Sequence, residues 1–315
     1  MPEKCIDAEL LQSMQDIAPI DEVDITNEFL FAYVMRDPEL CRELLEYLLP
    51  GRKIHHVKYL SEDGEEMADS VQPESQKALA EAFDKRGVRL DVYLDDGTSI
   101  FNVEMQVAPE RALPQRARLY QAHMDIHQLD RGHHFDELKP SFVIFICKFD
   151  PFGKGLYRYT FENVCQEDAE LSLRDEAYKL FFNTTGTEGD ISEHLRSLLE
   201  YMNDTKTYHV KETDCDLIRK IEQAVGLARK DDDWRRAFMT YQIHQRAAEL
   251  RGIEIGEKRG IEIGEARGRA AGKQEAQMEN AKRMLTKGLP VEMVAEFCGL
   301  TASEVSAIQK QLRTN

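Results

Sequence analysis

The sequence predicts an α/β domain followed by a long helix and a small helical unit. Three observations carry that prediction. "SFVIFIC" at 141–147 is apolar on both faces, as a strand in the middle of a sheet is. "RLDVYLDDGTSIFNVEMQV" at 89–107 reads as two strands around a tight turn. From about residue 233 a single helical pattern takes over.

The other elements follow in order. Residues 25–49 hold two amphipathic helical runs separated by "RDP". Phe29, Phe31 and Val34 begin the first; Leu40, Leu44, Leu45 and Leu48 recur at helical spacing in the second. "KIHHVKYL" at 53–60 is a candidate short strand, and the acidic stretch 61–85 a loop or insertion. Residues 113–132 form a helix, with Pro114 suited to its first turn and Gly132 to its end. Strands are expected at 156–164 and within 171–184, and helices near 191–203 and 213–229. We divide the chain into a domain at 1–232, a helical linker at 233–280 and an end unit at 281–315.

The linker carries an eight-residue repeat, "RGIEIGEK", "RGIEIGEA" and a weaker "RGRAAGKQ", with glycines at 252, 256, 260, 264, 268 and 272. A four-residue step drifts about 40° around a helix, so the glycines trace a slow spiral. Each costs a helix about 1 kcal/mol against alanine. A partly frayed helical linker and close helix packing in a homodimer both fit this pattern. In the end unit, "TASE" (Thr301 to Glu304) is a capping box that opens a last helix after a Gly299 turn. The spacing resembles a helix-turn-helix. Its second helix offers Ser303, Glu304, Ser306, Gln309 and Lys310 but no Arg, so a plain helical packing unit fits equally.

Composition bounds the function. The chain has 315 residues, 42% hydrophobic and 31% charged, which supports a true core. It lacks a run of about 18 apolar residues, so no membrane span is expected. Its six cysteines are scattered with no C-x-x-C, which fits reduced thiols in a cytoplasm. Net charge is −17, which argues against bulk attraction to nucleic acid. Any DNA contact is therefore local or assisted by divalent cations.

The hairpin at 89–107 holds the candidate chemistry. With Asp96-Gly97 as a two-residue loop, Tyr93 faces Ile100, Asp91 faces Asn102 and Arg89 faces Glu104. Side chains alternate, so Asn102, Glu104 and Gln106 share one face with Asp91. Phe101, Val103, Met105 and Val107 take the core face. Asp91 and Glu104 are diagonal neighbours across the two strands, with backbone positions about 7–8 Å apart. Two such carboxylates repel, and a divalent cation relieves the repulsion. Oxygen ligands favour Mg²⁺ or Mn²⁺. The alternative is an ordinary hairpin with a wet face on which Arg89 pairs Glu104.

"LDVYLDDGTSIFNVEMQ" resembles the signature of the PD-(D/E)xK nuclease superfamily, and specifically the recombination-promoting nuclease / putative transposase family. "TNEFLF", "RARLY", "FDELKP", "KFDPFGKGLYRYTF" and the Gly-spaced tail are also similar to these proteins. The resemblance implies a restriction-endonuclease-like core, a mixed sheet flanked by helices, and metal-dependent DNA cleavage. By position it makes Asp91 and Glu104 the metal-binding acids. Glu28 matches a place where some members add an acid. Gln106 stands where the superfamily usually has Lys, so a positive charge expected at the transition state is missing. The implied site is Mg²⁺ (or Mn²⁺) on Asp91, Glu104 and the carbonyl of Met105. Gln106 would position the attacking water. Arg116, Arg118 and Tyr120 would hold the DNA backbone, with Arg111 before them.

Two function classes follow: a metal-dependent DNA endonuclease of the transposase or recombination-promoting type, and a catalytically weak or inactive relative that binds DNA or protein. His123 and His127, spaced i, i+4 ahead of His133 and His134, suggest a rival zinc site. They lack the Glu that a metalloprotease helix carries after its first His.

Overall fold

The computed structural model describes residues 19–55, 57–59, 92–128 and 134–314. Arg89, Asp91, His133 and the acidic stretch 61–85 lie outside the described residues. The contacts divide the chain into two units, Met1–His244 and Gln245–Asn315.

In the first unit, α1 (Glu28–Val34) starts at Asn27, whose side chain accepts from the amides of Phe29 and Leu30. Helix α2 (Pro38–Leu48) starts the same way at Asp37, with Pro38 in its first turn. Among the described residues six strands follow: β1 (Lys58–Tyr59), β2 (Val92–Asp95), β3 (Ile100–Gln106), β4 (Ser141–Cys147), β5 (Arg158–Phe161) and β6 (Ala177–Asn183). Helix α3 (Leu113–Ile126) lies between β3 and β4 in sequence. Helices α4 (Glu193–Asn203) and α5 (Asp216–Ala228) come after the sheet, and α6 (Asp232–Thr286) begins in this unit.

The strand order is β1-β2-β3-β4-β6-β5. Strands β3, β4 and β6 are parallel to one another; β1–β2, β2–β3 and β5–β6 pair antiparallel. The predicted central strand is in place, since every residue of β4 is buried. The sheet is covered on both sides. On one face Val92, Phe101, Val103, Ile144 and Phe182 pack with Leu30, Leu44, Leu198, Ile221 and Trp234 from the helices around them. On the other face Tyr93, Ile100, Val143, Phe145 and Phe181 pack under α3 through Leu113, Ala117, Tyr120 and Met124.

The hairpin register differs from the one the Asp-Gly turn predicts. Asp95 pairs with Ile100 and Tyr93 with Asn102, so four residues, 96–99, make the connection. The cause is side-chain hydrogen bonding. Asp96 Oδ1 accepts from the amides of Thr98 (2.9 Å) and Ser99 (2.7 Å), while Asp95 Oδ1 accepts from the amide of Gly97 (2.7 Å). Two consecutive Asx turns replace the type I′ loop. Gly97 sits at φ +88°, a conformation that favours glycine. The register moves by two residues, and a shift of two leaves every side chain on its predicted face. Asn102 thus faces Tyr93 instead of Asp91.

The second unit holds the rest of α6 with α7 (Val291–Cys298) and α8 (Ala302–Thr314). Ala281, Val294, Cys298, Val305 and Ile308 form its small core. Gly299 ends α7 at φ +62°, and the predicted capping box forms: the Glu304 amide donates to Thr301 Oγ1 (3.3 Å), and Glu304 accepts from the Thr301 amide (2.8 Å).

Candidate active site

Glu104 lies near the middle of β3, on the face that α3 covers. It is 2% exposed. The wet-faced hairpin is therefore excluded: an ordinary solvated face does not bury a carboxylate. Burying an unpaired charge is costly, and here a cation accompanies it. Arg116, in the first turn of α3, places Nη2 3.1 Å from Glu104 Oε2. Its Nη1 donates to Gln106 Oε1 (2.9 Å) and to Glu110 Oε2 (2.6 Å). The guanidinium carbon lies 5.3 Å from the ring centres of both Tyr120 and Phe145. Burial works against the charge on Arg116, yet Tyr120, Glu104 and Glu110 together raise its pKa above the ordinary arginine value. It stays a cation at any working pH.

Gln106 is engaged at both ends of its amide. Oε1 accepts from Arg116, and Nε2 donates to the carbonyl of Ala108 (2.7 Å). Met105, between the two polar residues, turns its side chain into the opposite core. Beside Gln106, Cys147 lies across the parallel ladder. Burial pushes its thiol up to about 12 although Arg116 pulls the other way, so it is no nucleophile near neutrality.

Asn102 adds a feature that the sequence pattern left open. It points to the same face as Glu104, is 0% exposed, and among the described residues neither atom of its amide has a hydrogen-bond partner. Buried polar side chains are nearly always paired, so an orphan next to a buried carboxylate calls for an account.

The remaining site residues are placed as follows. Arg118 and Arg111 are exposed on and before α3, whereas Arg116 turns inward. Tyr120 is buried, its ring stacked on Phe145 at 6.1 Å. Glu28 opens α1, which packs on the face of the sheet opposite Glu104, and accepts a hydrogen bond from the Tyr241 hydroxyl. Asn27, the other polar residue there, is the cap of that helix. His123 and His127 stack edge-on at 4.4 Å. Among the described residues no three His, Cys, Asp or Glu side chains gather as a metal cluster.

Residues 37–177 match the sequence profile of PD-(D/E)XK nuclease family transposases. No curated protein and no solved structure matches the chain. The nuclease-family segment runs from α2 to the start of β6 and contains Asp91, Glu104, Gln106 and Arg116; Glu28 lies before it. The mixed sheet flanked by helices is the restriction-endonuclease-like α/β arrangement.

Proposed function

We propose that the protein is a divalent-metal-dependent DNA endonuclease of the transposase or recombination-promoting type. The observation that carries this reading is Glu104: a carboxylate buried on a central strand, on the same face as an equally buried amide that has no partner among the described residues. A fold that needed only a core would fill both positions with apolar side chains, since an unpaired buried amide costs about 1–3 kcal/mol.

The donor set fits a hard cation. Glu104 and Asn102 offer oxygen atoms from one face of β3, and Asp91 would add the second acid. Mg²⁺ or Mn²⁺ held by Asp91, Glu104 and the Met105 carbonyl would supply a Lewis acid for the phosphate and a bound water of lowered pKa. The chain does the rest. In hydrolysis a water oxygen bonds to phosphorus and the bond from phosphorus to the sugar oxygen breaks. The leaving oxygen takes a proton and the attacking water gives one up, so a phosphomonoester and an alcohol result. Exposed Arg118 and Arg111 would hold DNA phosphates. No helix among the described residues is long and apolar enough to cross a membrane. Cys41, Cys147, Cys165, Cys215 and Cys298 are free, which supports a cytoplasmic place for the enzyme.

A plasmid-nicking assay tests the proposal. Wild type should nick supercoiled DNA with Mg²⁺ or Mn²⁺ and not with EDTA, and Asp91→Ala should not. Equal cleavage by both proteins overturns the role of Asp91 and with it this mechanism; no cleavage by either at high protein supports the second reading, a nuclease-fold DNA- or protein-binding protein. The amide at position 106 and the cation resting on Glu104 favour that reading.

The orphan amide gives a separate prediction. Asn102→Leu keeps the branching of the side chain and removes the buried polar atoms. It should stabilise the protein by about 1–2 kcal/mol in urea unfolding, and weaken Mn²⁺ binding in titration calorimetry. Lower stability together with unchanged Mn²⁺ affinity would show Asn102 to be a packing residue.

A further inference from the structure

We propose that Arg116 supplies, from helix α3, the positive charge that position 106 lacks, and that Gln106 serves to hold that charge in place. The inference rests on the endonuclease reading above and assigns two residues new roles within it.

The geometry carries the argument. The tip of the Gln106 side chain already touches the guanidinium, at 2.9 Å from Oε1 to Nη1. A lysine at 106, of similar reach, would bring its ammonium to the neighbourhood that the guanidinium now occupies. The cation is attached to α3 instead of β3 and sits beside Glu104. The amide at 106 has a different job. Bonded to Ala108 at one end and to Arg116 at the other, Gln106 is an anchor for the guanidinium and is not free to steer a water.

Arg116 is built for the task. Glu104, Glu110 and Gln106 fix three directions around the guanidinium, and Tyr120 and Phe145 fix its plane. Among the described residues its Nε is buried with no partner, which leaves a donor unused there. Its side chain is 28% exposed, so one side remains open to an incoming group. A preoriented guanidinium suits the oxygens of a phosphate in transfer better than a mobile ammonium does, because its donors match phosphate in pairs and it keeps its proton. The alternative role, a counter-ion that only neutralises Glu104, predicts different behaviour under charge relocation.

The test moves the charge back. Four proteins are compared: wild type, Arg116→Ala, Gln106→Lys, and the double variant Arg116→Ala/Gln106→Lys. Folding is checked by thermal melting, with Arg116→Gln as a substitute single variant if the alanine form fails to fold. We expect Arg116→Ala to lose cleavage on the order of 10²-fold, with Mn²⁺ affinity by calorimetry unchanged or tighter, since a competing cation has gone. We expect the double variant to recover at least half of that loss on a logarithmic scale. A folded, Mn²⁺-binding double variant as inactive as the single one overturns the proposal, as does a single variant that cleaves like wild type. In the latter case the endonuclease reading stands. If wild type itself cleaves nothing, that reading fails and binding decides the role of Arg116. Duplex DNA should then bind Arg116→Ala more weakly, with a salt slope lower by about 1, and Gln106→Lys should restore it. An unchanged slope overturns the proposal.

Discussion

Glu104→Gln is expected to lose cleavage on the order of 10²–10³-fold while the protein stays folded. The substitution keeps the shape and removes one negative charge from a position that is 2% exposed. Three consequences should appear together. Mn²⁺ affinity falls, because an amide oxygen is a weaker ligand for a hard cation than a carboxylate. Arg116 loses one of its two carboxylate partners and keeps Glu110 and Gln106. Breaking a fully buried pair costs about 3–5 kcal/mol. Here the arginine is partly open and still paired, and the buried carboxylate's own desolvation is relieved, so a loss of about 1–2 kcal/mol is expected. Urea unfolding read beside Mn²⁺ calorimetry checks both effects. A variant that loses stability but binds Mn²⁺ as tightly as wild type would reduce Glu104 to half of a structural ion pair.

The second large effect concerns α6. Replacing Gly252, Gly256, Gly260, Gly264, Gly268 and Gly272 by alanine should stabilise that helix by about 6 kcal/mol in total, at about 1 kcal/mol each. Nothing in the structure opposes the change: a Cβ built at each of the six meets no atom within 4 Å. Helical signal in circular dichroism should persist to higher temperature, and amides along 250–275 should exchange more slowly. Light scattering on the same protein addresses the homodimer we consider for this helix. A mass unchanged from wild type would mean that no second copy packs closely against these glycines. A drop from dimer to monomer would mean that a second copy approaches the glycines too closely to admit a methyl group.

Much of the sheet was legible because its strands are extreme in pattern. "SFVIFIC" is apolar at both parities, and only burial on both faces explains that. The start of α3 was marked by Pro114 and the last helix by its capping box. The hairpin was harder. Asp-Gly favours a two-residue turn, yet Asp95 and Asp96 use their own side chains to build a longer one, and a dipeptide preference does not report that competition. The faces survived because the error was an even number of residues. Asn102, Glu104 and Gln106 were legible as one face of β3 and illegible as an arrangement. That α3 closes over Glu104, and that Arg116 turns inward while Arg118 does not, depends on a helix packing that no spacing encodes. A first-turn arginine next to "ALP" gives no sign of its direction. The bond from Tyr241 to Glu28 joins residues 213 positions apart, beyond the reach of any local pattern.

The parallel centre of the sheet also sets how the protein folds. Ile100 of β3 meets Ser141 of β4, and Ser141 meets Ala177 of β6, so the innermost strand finds its neighbours about 40 residues away on either side. Such pairings close long loops before any contact rewards them, and chains rich in them fold in milliseconds to seconds. The helical end unit, whose contacts are local, belongs to the microsecond-to-millisecond class. The chain is therefore expected to acquire its last helices early and its buried strand late. During that interval "SFVIFIC" is an uncharged, unpaired, β-prone segment, and self-association during refolding should scale with protein concentration through that stretch.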